Sequence, residues 1–141
     1  MCQHCPYVTA IIDKLVRDTS ELLDYGIHTI GINSNDGISY PEDDFDHMVA
    51  FSKYKNFSFP YLWDEDQDVA KLYNAVCTPD FFGFNKNLEL QYRGRIRELK
   101  NLKPVRVGDS DLKNAMKLVA KSQKGPTDQI PSMGCNIKWF K

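Results

Sequence analysis

The stretch "MCQHCPYVTAII", residues 1–12, places two cysteines, Cys2 and Cys5, directly ahead of an apolar pattern, with Gln3 and His4 between them. From Val8 the apolar residues Ile11, Ile12, Leu15, Val16, Leu22 and Leu23 recur at three- and four-residue spacing, which predicts a helix burying one stripe. Gly26 supplies its stop, because glycine accepts the left-handed conformation that ends many helices. A cysteine at the head of such a helix faces unpaired backbone N–H groups and the positive end of the dipole, and both favour thiolate over thiol. Cys2 is therefore the expected nucleophile, with about 1.4 kcal/mol of thiolate preference for each unit of pKa depression. His4 adds a titratable partner beside it. Cys5, one turn along, is within bonding reach of Cys2 and suits a shielded thiol that resolves a mixed disulfide. Pro6 costs little there, since first-turn N–H groups lack helical partners.

Other uses of the pair fit less well. A zinc knot would need its second half from Cys77 and Cys135, which are not a second Cys-x-x-Cys. Haem attachment needs a histidine immediately after the second cysteine, where Pro6 stands. A structural disulfide across so short a ring would constrain the unfolded chain very little. Redox chemistry is the reading that spacing and position favour, and no metal or cofactor is expected.

The whole chain has 141 residues, enough for one domain that buries roughly 70% of the surface exposed on unfolding. Its 42% hydrophobic and 26% charged residues, with a net charge of -1, describe an ordinary globular protein and give no cause to expect nucleic acid as a partner. No apolar run reaches membrane-spanning length, and the first residues lack the basic start and apolar core of a secretion signal, so a soluble, cytoplasmic protein is expected. Four cysteines are too few for a disulfide-dense secreted scaffold.

Beyond Gly26, "IHTIGIN" (27–33) is short and rich in β-branched residues, as in a buried strand of a parallel sheet, with His28 in the core or at the sheet end. Pro41, followed by Glu42, Asp43 and Asp44, starts a second helix running to about Tyr54, which buries Phe45, Met48 and Val49 and exposes His47. "FPYLWDED" is a short extended segment, with Trp63 in the core, leading to a helix that carries Val69, Leu72, Tyr73 and Val76 into "CTPDFFGF". Thr78-Pro79 breaks that helix. Phe81–Phe84, the turn 85–87 and "LELQYRG" form a β-hairpin. Arg93, Arg95, Arg97, Lys100, Lys103 and Arg106 read as a solvated basic loop. Asp109-Ser110-Asp111 caps a last helix bearing Leu112, Ala115, Met116 and Val119. Residues 1–121 thus make the domain, and residues 122–141, with Gly125, Pro126, Pro131 and Gly134, an irregular tail laid over it or over a partner.

With a cysteine pair opening an amphipathic helix, and Thr78-Pro79 preceding a hairpin and a last helix, the sequence resembles the thioredoxin superfamily. Closer still, "CQHCPYV", "GINSND", "YPED", "FPYLWDEDQDVAKLY", "CTPDFFGF", "YRGRI" and "PSMGCNIKW", in that order from residue 2 to about residue 139, resemble the bacterial redoxins related to the alkyl hydroperoxide reductase and thiol-specific antioxidant group. The resemblance implies an α/β fold, a thioredoxin-like three-layer sandwich. It implies that Cys2 attacks and Cys5 resolves, and that Thr78-Pro79 is a cis-proline turn whose Thr78 backbone holds a substrate chain as a strand would. Cys77 and Cys135 are possible additional redox thiols. The expected activity is thiol-disulfide exchange on a protein or small-molecule disulfide, with a thiol reductant such as a thioredoxin system as partner. A peroxiredoxin-like peroxidase is the alternative, and a non-enzymatic metal- or partner-binding module the third reading.

Two departures qualify the resemblance. Peroxiredoxins carry threonine or serine three residues before their reactive Cys-Pro, whereas Cys2 holds that place before Cys5-Pro6, which favours dithiol exchange over peroxide reduction. The family pattern also has an apolar central strand ending just before the first cysteine, where this sequence has only Met1. A sheet lacking its central strand would lose pairing on both sides, so the expectation is a chain shortened at its N-terminus.

Overall fold

The apolar stripe after the cysteines becomes helix α2 (Ile12–Leu22) in the computed structural model, which describes residues 1–141. A single turn, α1 (Pro6–Thr9), precedes it, and the two are offset at Ile11, whose φ of -120° leaves the helical region. Gly26, at φ 75°, ends the helical segment as expected. Helix α5 (Asp111–Ser122) packs against α2 and buries Leu112, Ala115, Met116 and Val119. Ser110 caps α5 by accepting the Lys113 N–H at 3.0 Å, and its hydroxyl donates to buried Asp18 on α2 at 2.6 Å. Lys14 pairs with the second oxygen of Asp18 at 2.9 Å, so this buried carboxylate is fully compensated.

The strands form four two-stranded ladders. β1 (Gly31–Asn33) runs parallel to β2 (Tyr61–Trp63), and β3 (Cys77–Thr78) runs antiparallel to β8 (Cys135–Asn136). β4 (Phe81–Phe84) and β5 (Leu90–Gly94) make the expected hairpin, and β6 (Leu99–Lys100) pairs with β7 (Lys103–Pro104). Asn85 fixes the β4–β5 turn by accepting the N–H groups of Asn87 and Glu89 on its side-chain oxygen. Gly83 lets α5 approach β4, because a Cβ there would collide with the sulfur of Met116. The remaining helices are α3 (Phe45–Tyr54) and α4 (Asp68–Leu72).

Several expectations change. The strand expected over 27–33 narrows to three residues, since only Gly31–Asn33 finds a ladder partner in β2. His28, ahead of it, is exposed. Pro41–Asp43 form a 3-10 turn, and Asp44 caps α3 by accepting the His47 N–H at 2.9 Å. Of the three residues expected to be buried on α3 only Met48 is, while Phe45 lies half exposed against Trp63 on the outer ladder edge, so Trp63 is not core either. α4 stops at Leu72, short of "CTPD", and Leu72 and Val76 are exposed. The basic stretch contains the β6–β7 hairpin, and three of its four arginines find acids: Arg95 pairs with Asp111 and Glu98, Arg106 with Glu98, and Arg93 with Asp80.

A cavity of about 510 Å³ is lined by all of β1 and all of β4, together with Leu15, Leu22 and Met116 from the two long helices. The residues after β1 form a polar knot beside it. Asn35 accepts the Lys138 N–H at 2.9 Å, and the Gln67 side-chain amide donates to the carbonyls of Ser34 and Lys138. The tail is therefore bonded into the domain along much of its length: at β8, at Lys138 and, through Gln129, Ile130 and Ser132, along β5 and the residue after it. No helix is long and apolar enough to cross a membrane.

Candidate active site

The helix begins later than the spacing suggested. Pro6 occupies its first position, and the residue before a proline is driven to extended geometry, so Cys5 (ψ 130°) is the N-cap. The Cys5 carbonyl accepts the Val8 and Thr9 N–H groups, each at 3.0 Å. Cys2 lies in the loop ahead, so the helix-end argument for a thiolate passes from Cys2 to Cys5.

Thr78 stands against both cysteines. Its Oγ1 accepts the Cys2 N–H at 2.9 Å and lies 3.4 Å from the Cys2 sulfur, while its carbonyl oxygen lies 3.3 Å from the Cys5 sulfur. The Thr78–Pro79 bond is cis. The ladder edge of Thr78, which the resemblance assigns to a substrate chain, is occupied by β8, with Thr78 opposite Cys135. That pairing sets the Cys135 sulfur 2.8 Å from the Cys5 sulfur. Cys77 points elsewhere, toward the carbonyls of Pro79 and Ser132 at 3.6 and 3.9 Å, and burial pushes its thiol up.

The Cys2 and Cys5 thiols are both buried, and their pKa values move in opposite directions. The hydrogen bond from Cys2 holds Cys5 down at about 5, with a further contribution from Cys135, against the opposing effect of burial. The contact with Cys5 and then burial push Cys2 up. Burial and the contact with Cys5 push Cys135 up to about 11.

The loop between the cysteines is pinned by Asp43, which is wholly buried. One of its oxygens accepts the Gln3 and His4 N–H groups at 3.2 and 3.4 Å, and the other accepts the Asn35 side-chain amide at 2.8 Å and meets the His4 Nδ1. Asn33 donates to the Asp43 carbonyl at 2.8 Å. Tyr61 Oη completes the grip, 2.7 Å from the Met1 carbonyl and 2.8 Å from Gln3 Oε1. Cys2, His4 and Asp43 each bring one donor atom to within 4.8 Å of the others, the one grouping here with metal-ligand chemistry, and it draws on neither Cys77 nor Cys135.

Sequence reasoning placed Cys2, His4, Cys5, Thr78 and Pro79, which the fold gathers, and missed Asp43, Asn33 and Asn35. Their signal was present in "GINSND" and "YPED", where polar residues follow a strand and an acidic run follows a proline. Both were read as loop and helix start because periodicity carries no information about which polar side chains turn inward.

A protein-family model described as the AhpC/TSA family matches residues 1–98. The chain belongs to that family. Members are redox enzymes that work through thiols, and the fold of this AhpC/TSA protein is the thioredoxin-like α/β fold. Two solved structures resemble it closely. An uncharacterized conserved protein from Geobacillus kaustophilus matches with a TM-score of 0.93 and 37% identity, over 99% of this chain and 74% of that one. A hypothetical protein from Sinorhizobium meliloti 1021 matches at 0.90 and 36%, over 99% and 76%. No curated protein matches the sequence.

Proposed function

We propose that the protein is a thiol-disulfide oxidoreductase whose working pair is Cys2 and Cys5. The observation that carries this reading is the setting of the pair: two buried thiols held by one residue, Thr78, whose hydroxyl meets Cys2 and whose carbonyl meets Cys5 beside the cis Pro79, with the Cys5 thiol held down at about 5. Access divides the roles. Cys2 borders the cavity beside β1, whereas Cys5 is walled by Val8, Thr78 and Cys135. Attack begins when Cys2 passes its proton to the Cys5 thiolate; the Cys2 thiolate so formed attacks one sulfur of the substrate disulfide and expels the other as a thiolate. Cys5 then gives up its proton and attacks Cys2, forming the Cys2–Cys5 disulfide and releasing the substrate as a dithiol, two electrons having passed to it. His4, bonded to Asp43 beside Cys2, is suited to carry the proton to the leaving thiolate.

On this reading the substrate is a protein or small-molecule disulfide, and a thiol reductant such as a thioredoxin system restores the pair. The strand expected ahead of Cys2 belongs to the same proposal: the cavity and the edge of β1 facing away from β2 offer a place for one more strand in the sheet. A second reading, reduction of a peroxide by Cys5, is favoured by the low pKa of Cys5 and by family membership. Turnover of insulin disulfides and of hydrogen peroxide by Cys2→Ser and Cys5→Ser separates the two. Disulfide exchange lost in both variants supports the proposal; peroxide turnover that survives in Cys2→Ser and vanishes in Cys5→Ser supports the second reading; exchange undiminished in Cys2→Ser overturns the proposal.

A further inference from the structure

We propose that Cys135 is a third redox thiol that takes the disulfide over from the buried pair and presents it to the external reductant, through a Cys5–Cys135 bond. The proposal rests on the dithiol reading of Cys2 and Cys5 and extends it to the tail.

Three observations carry it. First, the Cys135 sulfur lies 2.8 Å from the Cys5 sulfur, although the two residues are 130 apart in sequence. Second, this approach is built into the backbone. Cys135 is held opposite Thr78 in the β3–β8 ladder, and Gly134 lies so close to the Thr78 carbonyl that any Cβ there would collide with it. Third, exposure is graded: Cys2 and Cys5 are each only 1% exposed, while Cys135 is intermediate. A disulfide confined to Cys2 and Cys5 offers a reductant only the Cys2 sulfur, through the cavity beside β1. One that includes Cys135 reaches a half-buried residue.

The exchange needs no added oxidant. Starting from the Cys2–Cys5 disulfide, the Cys135 thiolate attacks the Cys5 sulfur; the Cys5–Cys135 bond forms, the Cys2–Cys5 bond breaks, and Cys2 leaves as a thiolate that takes up the proton Cys135 lost. An external thiol then attacks Cys135, forms a mixed disulfide there and expels Cys5 as a thiolate; a second external thiol completes the two-electron reduction. Cys5 is the favoured leaving group, because a thiol of low pKa departs fastest. Cys77, whose sulfur meets only carbonyl oxygens, stands outside the relay.

The test is disulfide mapping by mass spectrometry after oxidation with diamide, on the full chain, joined to the rate of re-reduction by glutathione. The relay predicts Cys2–Cys5 and Cys5–Cys135 peptides together in the oxidised wild type, a quantitative intramolecular Cys5–Cys135 bond in Cys2→Ser, and re-reduction of Cys135→Ser slowed by about tenfold or more, with Cys77→Ser behaving as wild type. It is overturned if oxidised Cys2→Ser keeps Cys5 and Cys135 as free thiols, or if Cys135→Ser is re-reduced at the wild-type rate. The wild-type map guards against misfolded variants, because absence of any Cys5–Cys135 peptide from it also overturns the relay. Failure of the parent reading looks different: no Cys2–Cys5 peptide in either the wild type or Cys135→Ser.

Discussion

Cys2 and Cys5 share one loop but not one environment. Cys2 is surrounded by polar groups: the Thr78 hydroxyl, the His4 ring and the Asp43 carboxylate, with the cavity alongside. Cys5 is surrounded by structure: a helix start, a backbone carbonyl and the sulfur of Cys135. The Cys2 side offers proton carriers and room, as an attacking thiol requires. The Cys5 side offers shielding, which suits the resolving role proposed for it, together with a stabilised negative charge. What distinguishes the two sulfurs is less the helix than what two distant segments, the "YPED" loop and the "GCN" strand, bring to each.

Each side can be broken separately. Asp43→Ala strips the Cys2 side, leaving the Gln3 and His4 N–H groups and the Asn35 amide without their acceptor; urea unfolding of the reduced protein should report a loss of about 3 kcal/mol or more, with exchange activity falling alongside. Gly134→Val strips the Cys5 side by forcing β8 off β3, at about 1 to 3 kcal/mol, and should raise the thiolate pKa read by ultraviolet absorbance at the same time. A loss of stability with an unmoved titration would contradict the role given to the Cys135 contact.

The pH dependence sharpens the contrast without mutation. Cys5 is held at about 5 in the folded protein against 9.0 for an ordinary thiol, so its stabilising effect is complete above the ordinary value and is lost as pH falls through 5. Reduced protein should therefore gain stability from pH 5 toward pH 9, with a slope of up to about 1.4 kcal/mol per pH unit. Oxidised protein, with no thiolate at Cys5, should lack this component, which denaturation of both forms across the range would reveal. The smallest change is Thr78→Val, which removes the hydroxyl facing Cys2 and keeps the carbonyl facing Cys5; a cost of about 1 kcal/mol and a slower attack step, seen in single-turnover kinetics, are expected, with the Cys5 titration little altered.

Much of this was legible in the sequence. The stripe from Ile12 to Leu22, the Ser110 cap and the Phe81–Gly94 hairpin follow from periodicity and turn chemistry, and they appear as read. The pair was legible because its spacing is itself the chemistry, whereas the Thr78-Pro79 turn that faces it followed from the family resemblance. The start of the helix was misplaced because Pro6 acts on the residue before it, a local steric effect that outweighs apolar spacing. Asp43, Asn33 and Asn35 were invisible as site residues because their meaning lies in long-range hydrogen bonds. The tail looked irregular because a two-residue strand such as Cys135–Asn136 has no period to detect.

The central claim is that Cys2 and Cys5 form a reversible dithiol-disulfide couple, and thiol counting across a series of glutathione redox buffers tests it most directly. The chain has four cysteines, all free in the reduced state. The account predicts one two-electron transition in which two thiols disappear together and return on reduction, leaving Cys77 free throughout. Four thiols persisting at every potential, or the loss of a single thiol to a sulfenate, would contradict it.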